Sequence, residues 1–126
     1  MDEEKIKTEY ATFQDEHKGF GDFAILNRNG EVIFRLNQNF VTDEEGKILM
    51  DAWLNHKSAV EWTNKRYPIL SWEEIQFAAR NVKDKDALIG CITKSKNFIV
   101  VHLKAGAKAA PAIAAIALNR WSWDKI

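Results

Sequence analysis

The sequence predicts an α+β domain, a central antiparallel sheet with helices packed on its faces. Three observations carry this expectation. Apolar residues recur at helical spacing near both ends of the chain and once between them. Short runs rich in β-branched and aromatic residues, bounded by turn-forming residues, fill much of the remainder. An antiparallel sheet of such apolar runs cannot leave both faces wet, so helices should cover it, with the terminal pair sharing one face. At 126 residues the chain is long enough for a single domain whose core needs no metal or disulfide.

Taken in order, Ile6, Tyr10, Phe13 and His17 line one side of a first helix that follows a charged tip, and Gly19 and Gly21 are expected to end it. Phe23 to Leu26 and Val32 to Arg35 read as two strands around Asn27-Arg28-Asn29-Gly30, where Asn-Gly supplies the positive φ of a tight hairpin. Thr42 and Glu45 have capping-box spacing, so a helix is predicted from about Asp43 to Leu54, with Ile48, Leu49, Ala52 and Trp53 on one face. Residues 60–79 leave two readings open. Pro68 disfavours helix before Ile69, and Ser71 to Arg80 suits either a short helix or strands, given the alternation of Ile75, Phe77 and Ala79. Leu88 to Thr93 and Phe98 to Leu103 read as strands joined by Lys94-Ser95-Lys96-Asn97. Pro111, lacking a backbone N–H, belongs in the first turn of an Ala-rich helix that runs to about Trp121. No repeat, linker or low-complexity tract interrupts this order.

Net charge is zero, yet it is unevenly placed. Residues 1–63 hold 7 basic and 13 acidic side chains, a balance of −6, and residues 64–126 hold 11 and 5, a balance of +6. The basic half can steer an acidic partner by long-range attraction, while a solvated surface explains the same charges with no partner. Free nucleic acid is disfavoured, because the basic residues are scattered and the acidic half repels phosphate. Cys91 is the sole cysteine, so no internal disulfide exists, and it reads as a small buried hydrophobe in a reducing cytoplasm. The acidic start, Asp2-Glu3-Glu4, is unlike a signal peptide, and no stretch is apolar enough to span a membrane, so an intracellular protein is expected.

Catalytic and metal chemistry find little footing. His17, His56 and His102 have no metal-ligand spacing, and Gly19-Phe20-Gly21 is no phosphate loop. Cys91 and His102 could meet across their hairpin, but neither an orienting group nor an oxyanion site accompanies them. No enzyme activity, metal or cofactor is expected. Two aromatic pairs stand out instead. Tyr10 and Phe13 belong to the apolar stripe of the first helix, for which core packing is the plainer reading. Trp121 and Trp123 lie two apart, so on a continuing helix they point to different sides and one is left exposed.

Several segments, in this order, resemble the profilin family of small cytoplasmic proteins that bind monomeric actin. Tyr10-Ala11-Thr12-Phe13, followed by Asp15-Glu16-His17, is similar to the family's Trp-x-x-Tyr first helix. Phe23-Ala24-Ile25-Leu26 through Glu31-Val32-Ile33-Phe34 resembles its first hairpin, and Thr42-Asp43-Glu44-Glu45 its Thr-Pro-x-Glu helix start. Thr93-Lys94-Ser95-Lys96 with Phe98-Ile99-Val100-Val101-His102 resembles its last hairpin. The likeness covers residue 9 to the end, a single domain over 9–126, with residues 1–8 as an acidic extension expected to stand outside it. The family's glycine-rich strand before Tyr67 is missing, and Trp121-Ser122-Trp123-Asp124 replaces its usual terminal aromatic pattern. These departures resemble the archaeal profilins of the Asgard group.

The resemblance implies N- and C-terminal helices on one face of the sheet and a further helix on the other. By position it implies an actin-binding face of Arg66, Ser71, Arg80, Lys94, Lys104, Lys108, Ala110 and Ile113, although each lysine could serve only to keep a sheet edge soluble. It implies a proline-rich-peptide groove walled by Tyr10, Phe13, Trp121 and Trp123, with Ile33 where the family often carries another Trp, and therefore weakened binding. Phosphoinositides would meet the same basic face. The expected protein is a cytoplasmic, cytoskeleton-associated monomer that regulates actin filament assembly. The alternative is a dimeric scaffold of the roadblock or longin type that regulates small GTPases, and a ligand-sensing PAS-like domain would need a cavity that the sequence does not announce.

Overall fold

The computed structural model describes residues 2–126; Met1 lies outside the described residues. Helix α1 (Glu3–Glu16) opens with Asp2 as its cap, whose carboxylate accepts from the Lys5 amide at 3.1 Å. The segment 2–8 therefore forms the first turns of α1 instead of an extension apart from the fold. Asp2, Glu3 and Glu4 suit that position, since carboxylates favour a helix N-terminus. The helix ends at His17, and Gly19 takes φ +103°, whereas Gly21 is already inside a strand and terminates nothing.

Seven strands follow: β1 (Phe20–Leu26), β2 (Val32–Arg35), β3 (Ala59–Trp62), β4 (Lys65–Trp72), β5 (Gln76–Arg80), β6 (Ala87–Ile92) and β7 (Phe98–Leu103). They form one antiparallel sheet in the order β2-β1-β7-β6-β5-β4-β3. Helices α2 (Asp43–Leu54) and α3 (Pro111–Ser122) complete the chain. The predicted bounds of α2, β2 and β7 agree with the structure, and the capping box of Thr42 and Glu45 forms in both directions.

The ambiguous stretch resolves as three strands. Pro68 pairs with Ala59 of the edge strand, and the β4–β5 ladder starts one residue later at Ile69↔Ala79, so the missing donor interrupts no ladder. The two-residue turn belongs here: Thr63 and Asn64 both take positive φ, 50° and 61°, between Trp62 and Lys65. The β1–β2 connection spans residues 27–31, as the expected strand ends imply, and is not a two-residue turn. Its single left-handed residue is Gly30 (φ +84°), and Asn27 bridges the loop by accepting from the amides of Asn29 and Glu31 at 3.0 Å. The extra residue produces a bulge that leaves Ile33 unpaired.

Strand alternation sends residues to two cores. Phe23, Ile25, Ile89, Cys91, Ile99 and Val101 face α1 and α3, meeting Ile6, Tyr10, Phe13, Ala114, Ala115 and Leu118. Ala24, Leu26, Leu88, Phe98 and Val100 face α2, meeting Leu49, Met50, Ala52 and Trp53. Both faces are covered, which explains why the central strands are apolar throughout. The terminal helices share a face, as expected. Among the described residues, no helix is long and apolar enough to cross a membrane.

Candidate functional site

The β7–α3 connection builds a concavity lined by basic residues and no acidic one. Pro111 occupies the first turn of α3, but its cap is Ala110, which offers no side-chain acceptor, so the first-turn amides lack a side-chain partner. Around that helix start lies a cleft of about 390 Å³ with Arg80, Lys85, Lys104 and Lys108 on its rim and Ala87, Leu103 and Ala107 below. None of the four cations is ion-paired among the described residues, and no carboxylate lines the cleft. Their charges add to the positive end of α3, so the cleft favours an acidic surface. The loop is held from below: the Lys104 amide donates to the Gly19 carbonyl at 2.8 Å, and a Cβ on Gly19 would collide with that of Ala107.

Four of the eight residues assigned to the actin face, Arg80, Lys104, Lys108 and Ala110, thus meet in one cleft. Ile113 is 59% exposed on α3. Ser71 pairs with Ala78, whose side chain belongs to the core under α1 and α3, so it shares that face of the sheet. Arg66 is exposed on β4, and its carbonyl accepts from Asn81 at 2.9 Å. Lys94 stands apart at the far end of β6, roughly 20 Å along the strand. Sequence reading missed Lys85. Lys85 takes positive φ (64°) in the β5–β6 loop, and Leu70 sits in the β4 irregularity, 55% exposed. Lys85 was visible as a charge but not as a neighbour of Lys108.

The aromatic groove is filled by its own rings. Trp121 packs on Tyr10 and Phe13 with centroids 5.7 and 5.1 Å apart, leaving Tyr10 fully buried and Phe13 nearly so. The Tyr10 hydroxyl donates to the Gly21 carbonyl at 2.7 Å, and burial, then the nearby Asp22 charge, push its pKa well above the usual phenol value. Ile33 and Trp123 lie outside this contact. Ile33 is exposed on edge strand β2. Trp123 follows the end of α3, with its carbonyl accepting from the Lys94 amide. Trp123 keeps helical dihedrals, its amide bonding to the Asn119 carbonyl, so the two-residue spacing points its ring to a different side from Trp121.

A polar cluster that sequence reading did not foresee lies on the α2 side. Asp86, 6% exposed, accepts from the Tyr67 hydroxyl at 2.6 Å and lies 2.7 Å from His102 Nε2. Lys65 bonds Asp84 at 2.9 Å and approaches Asp86 at 3.9 Å. Burial alone would raise the Asp86 pKa, but the hydrogen bonds from Tyr67 and His102 and the Lys65 charge outweigh it and hold the carboxyl low. Cys91 and His102 do not meet. Cys91 pairs with Ile99 and faces the other core, where burial pushes its thiol up to about 11 despite a 3.3 Å contact with the Ser122 hydroxyl. A thiol so placed is a poor nucleophile.

No family model matches the chain. It is 30% identical over 91 residues to Loki profilin-3 of Lokiarchaeum sp. (strain GC14_75), covering 71% of this chain and 74% of that protein. Its fold superposes on that of LokiProfilin2, solved in complex with rabbit actin, with a TM-score of 0.76 and 15% identity over 97% of this chain and 95% of the other. It also superposes on profilin IA of Acanthamoeba castellanii, with a TM-score of 0.62 and 21% identity over 79% of each chain.

Proposed function

The chain belongs to the profilin family, and on that premise we propose that it binds monomeric actin through the face around the start of α3 and so regulates filament assembly. One observation carries the reading: Arg80, Lys85, Lys104 and Lys108 converge without carboxylates around the start of α3, the helix that also carries the exposed Ile113. Actin is an acidic protein, so the cleft speeds encounter, and Ile113 offers apolar area to hold the complex. LokiProfilin2, of the same fold, is a protein solved with rabbit actin. The proposed role is that of a cytoplasmic monomer that binds and releases actin without catalysis, and family membership leaves the dimeric GTPase-scaffold alternative without support.

For proline-rich peptides the α1/α3 surface is a poor receptor, because Trp121 must leave Tyr10 and Phe13 before a peptide can stack on them. Phosphoinositide headgroups would occupy the Arg80–Lys108 cleft and compete with actin. Spontaneous polymerisation of pyrene-labelled actin, preferably an archaeal actin, tests the main reading. The protein should slow it, and Arg80→Glu with Lys108→Glu should weaken the effect about tenfold or more. Equal inhibition by parent and double variant, or none by either with the archaeal actin, would reject this face.

A further inference from the structure

A second cleft, of about 570 Å³, crosses the opposite end of the sheet and is not used by the reading above. Three large side chains that a monomer would ordinarily hide converge there from separate elements. Leu54 at the end of α2 is 36% exposed, Ile75 in the β4–β5 turn 39%, and Trp123 beyond α3 40%. Beneath them Trp53 and Phe98 form an aromatic floor, their rings in edge contact at 5.2 Å. The Ile92 amide donates to the Ile75 carbonyl at 2.9 Å, which fixes the turn against the floor.

Sheet order sorts the charges of this cleft. The β1–β2 and β6–β7 turns are neighbours at this end, and they bring Arg28, Lys94 and Lys96 to one side. The β4–β5 turn, further along the sheet, brings Glu73 and Glu74 to the other. None of these five makes an ion pair among the described residues. The cleft is therefore apolar in the middle, with a cationic wall and an anionic wall that leave each other unsatisfied. Opposite charges held apart by the fold are complementary to a ligand carrying the reverse pair at the same separation.

We infer that this cleft, the one Trp123 enters, docks a short segment of a partner protein in which one or two large apolar residues stand between acidic and basic residues. The apolar residues rest against Leu54, Ile75 and Trp123, above the nearly buried Phe98 and Trp53, the acidic end lies against Arg28, Lys94 and Lys96, and the basic end lies against Glu73 and Glu74. Trp123 is the anchor, since stiff aromatic side chains give large contact area at small entropic cost.

The probe is the capped peptide acetyl-Glu-Glu-Gly-Leu-Phe-Gly-Lys-Lys-amide, titrated into 15N-labelled protein and followed by NMR. Saturable shifts are expected at the Trp123 indole and at the amides of Lys94 and Ile75. Replacing Leu-Phe in the peptide by Gly-Gly, or Trp123→Ala in the protein, should weaken binding about tenfold. Glu73→Lys with Glu74→Lys should weaken the mixed-charge peptide and strengthen a version with Glu-Glu at both ends. That variant should still slow actin polymerisation as the parent does, so failure here is separable from failure of the actin reading. Absence of saturable shifts at millimolar peptide, indifference to the flanking charges, or a self-associating protein whose dimer is lost in Trp123→Ala would each overturn the proposal.

Discussion

The two faces of the sheet bury polar chemistry in opposite ways. Under α1 and α3 the titratable groups are Tyr10 and Cys91, both kept neutral by burial, and the polar side chains bond to backbone or to each other: Tyr10 to Gly21, Asn119 to Ile92, Gln76 to Asn119. On the α2 side the carboxylates are kept charged. Asp86 is held ionised by Tyr67, His102 and Lys65, while on the exposed side of α2 hydrogen bonds from Lys57 and Asn55 lower the pKa of Asp51. Two polar atoms there, Asp86 Oδ1 and Trp62 Nε1, are buried without a partner. One face is thus insensitive to acid and the other depends on ionisation.

The largest test of this contrast removes apolar volume. Phe23 is fully buried against Tyr10, with ring centroids 4.6 Å apart, so Phe23→Ala should cost about 3–5 kcal/mol in urea unfolding, and by the same amount at pH 4 and pH 7. An intermediate effect is expected from Asp86→Asn, which should cost about 1–3 kcal/mol at pH 7. Its pH signature matters more. A carboxyl whose folded pKa is depressed stabilises above its unfolded value, near 4, and that stability is lost as pH falls through the folded pKa. Asp86→Asn should therefore flatten the acid limb of a stability profile below about pH 4, and an unchanged acid limb would break the comparison.

Tyr10→Phe should have the smallest effect, about 1 kcal/mol at neutral pH for the lost bond to Gly21. Tyr10 and Cys91 have folded pKa values raised above their unfolded ones. Their stabilisation is complete below about pH 8.5 and declines as pH rises through the folded values. Tyr10→Phe should accordingly soften the alkaline limb and leave the acid limb alone, as denaturant titrations between pH 8 and pH 11 would register.

Local chemistry made much of this fold legible. The capping box of Thr42 and Glu45, Pro111 at a helix start and the β-branched run of Phe98–Leu103 each act within a few residues, and each forms where the sequence places it. The β3–β5 meander was not legible, because Pro68 blocks helix yet is tolerated beside an edge strand, and only long-range pairing decides between the two. The charge imbalance marked the basic half but not the convergence of Arg80 and Lys108, which depends on how the β7–α3 loop folds back. Asp86, Tyr67 and His102 come from three segments and meet through strand register alone. The two-residue spacing of Trp121 and Trp123 sends them to different surfaces, as helical geometry requires, so they do not wall one groove together.

The contact of Gly19 with Ala107 has a consequence for anyone redesigning the basic cleft. The lysine-bearing loop is not an interchangeable module, because its underside is shaped by a residue nearly ninety positions earlier that no side chain can replace without displacing it. A side chain at position 19 would have to displace the loop at Ala107 as well. Recognition and N-terminal architecture are in that sense one unit of design, and a library that varies the loop alone would sample only the sequences that turn can carry.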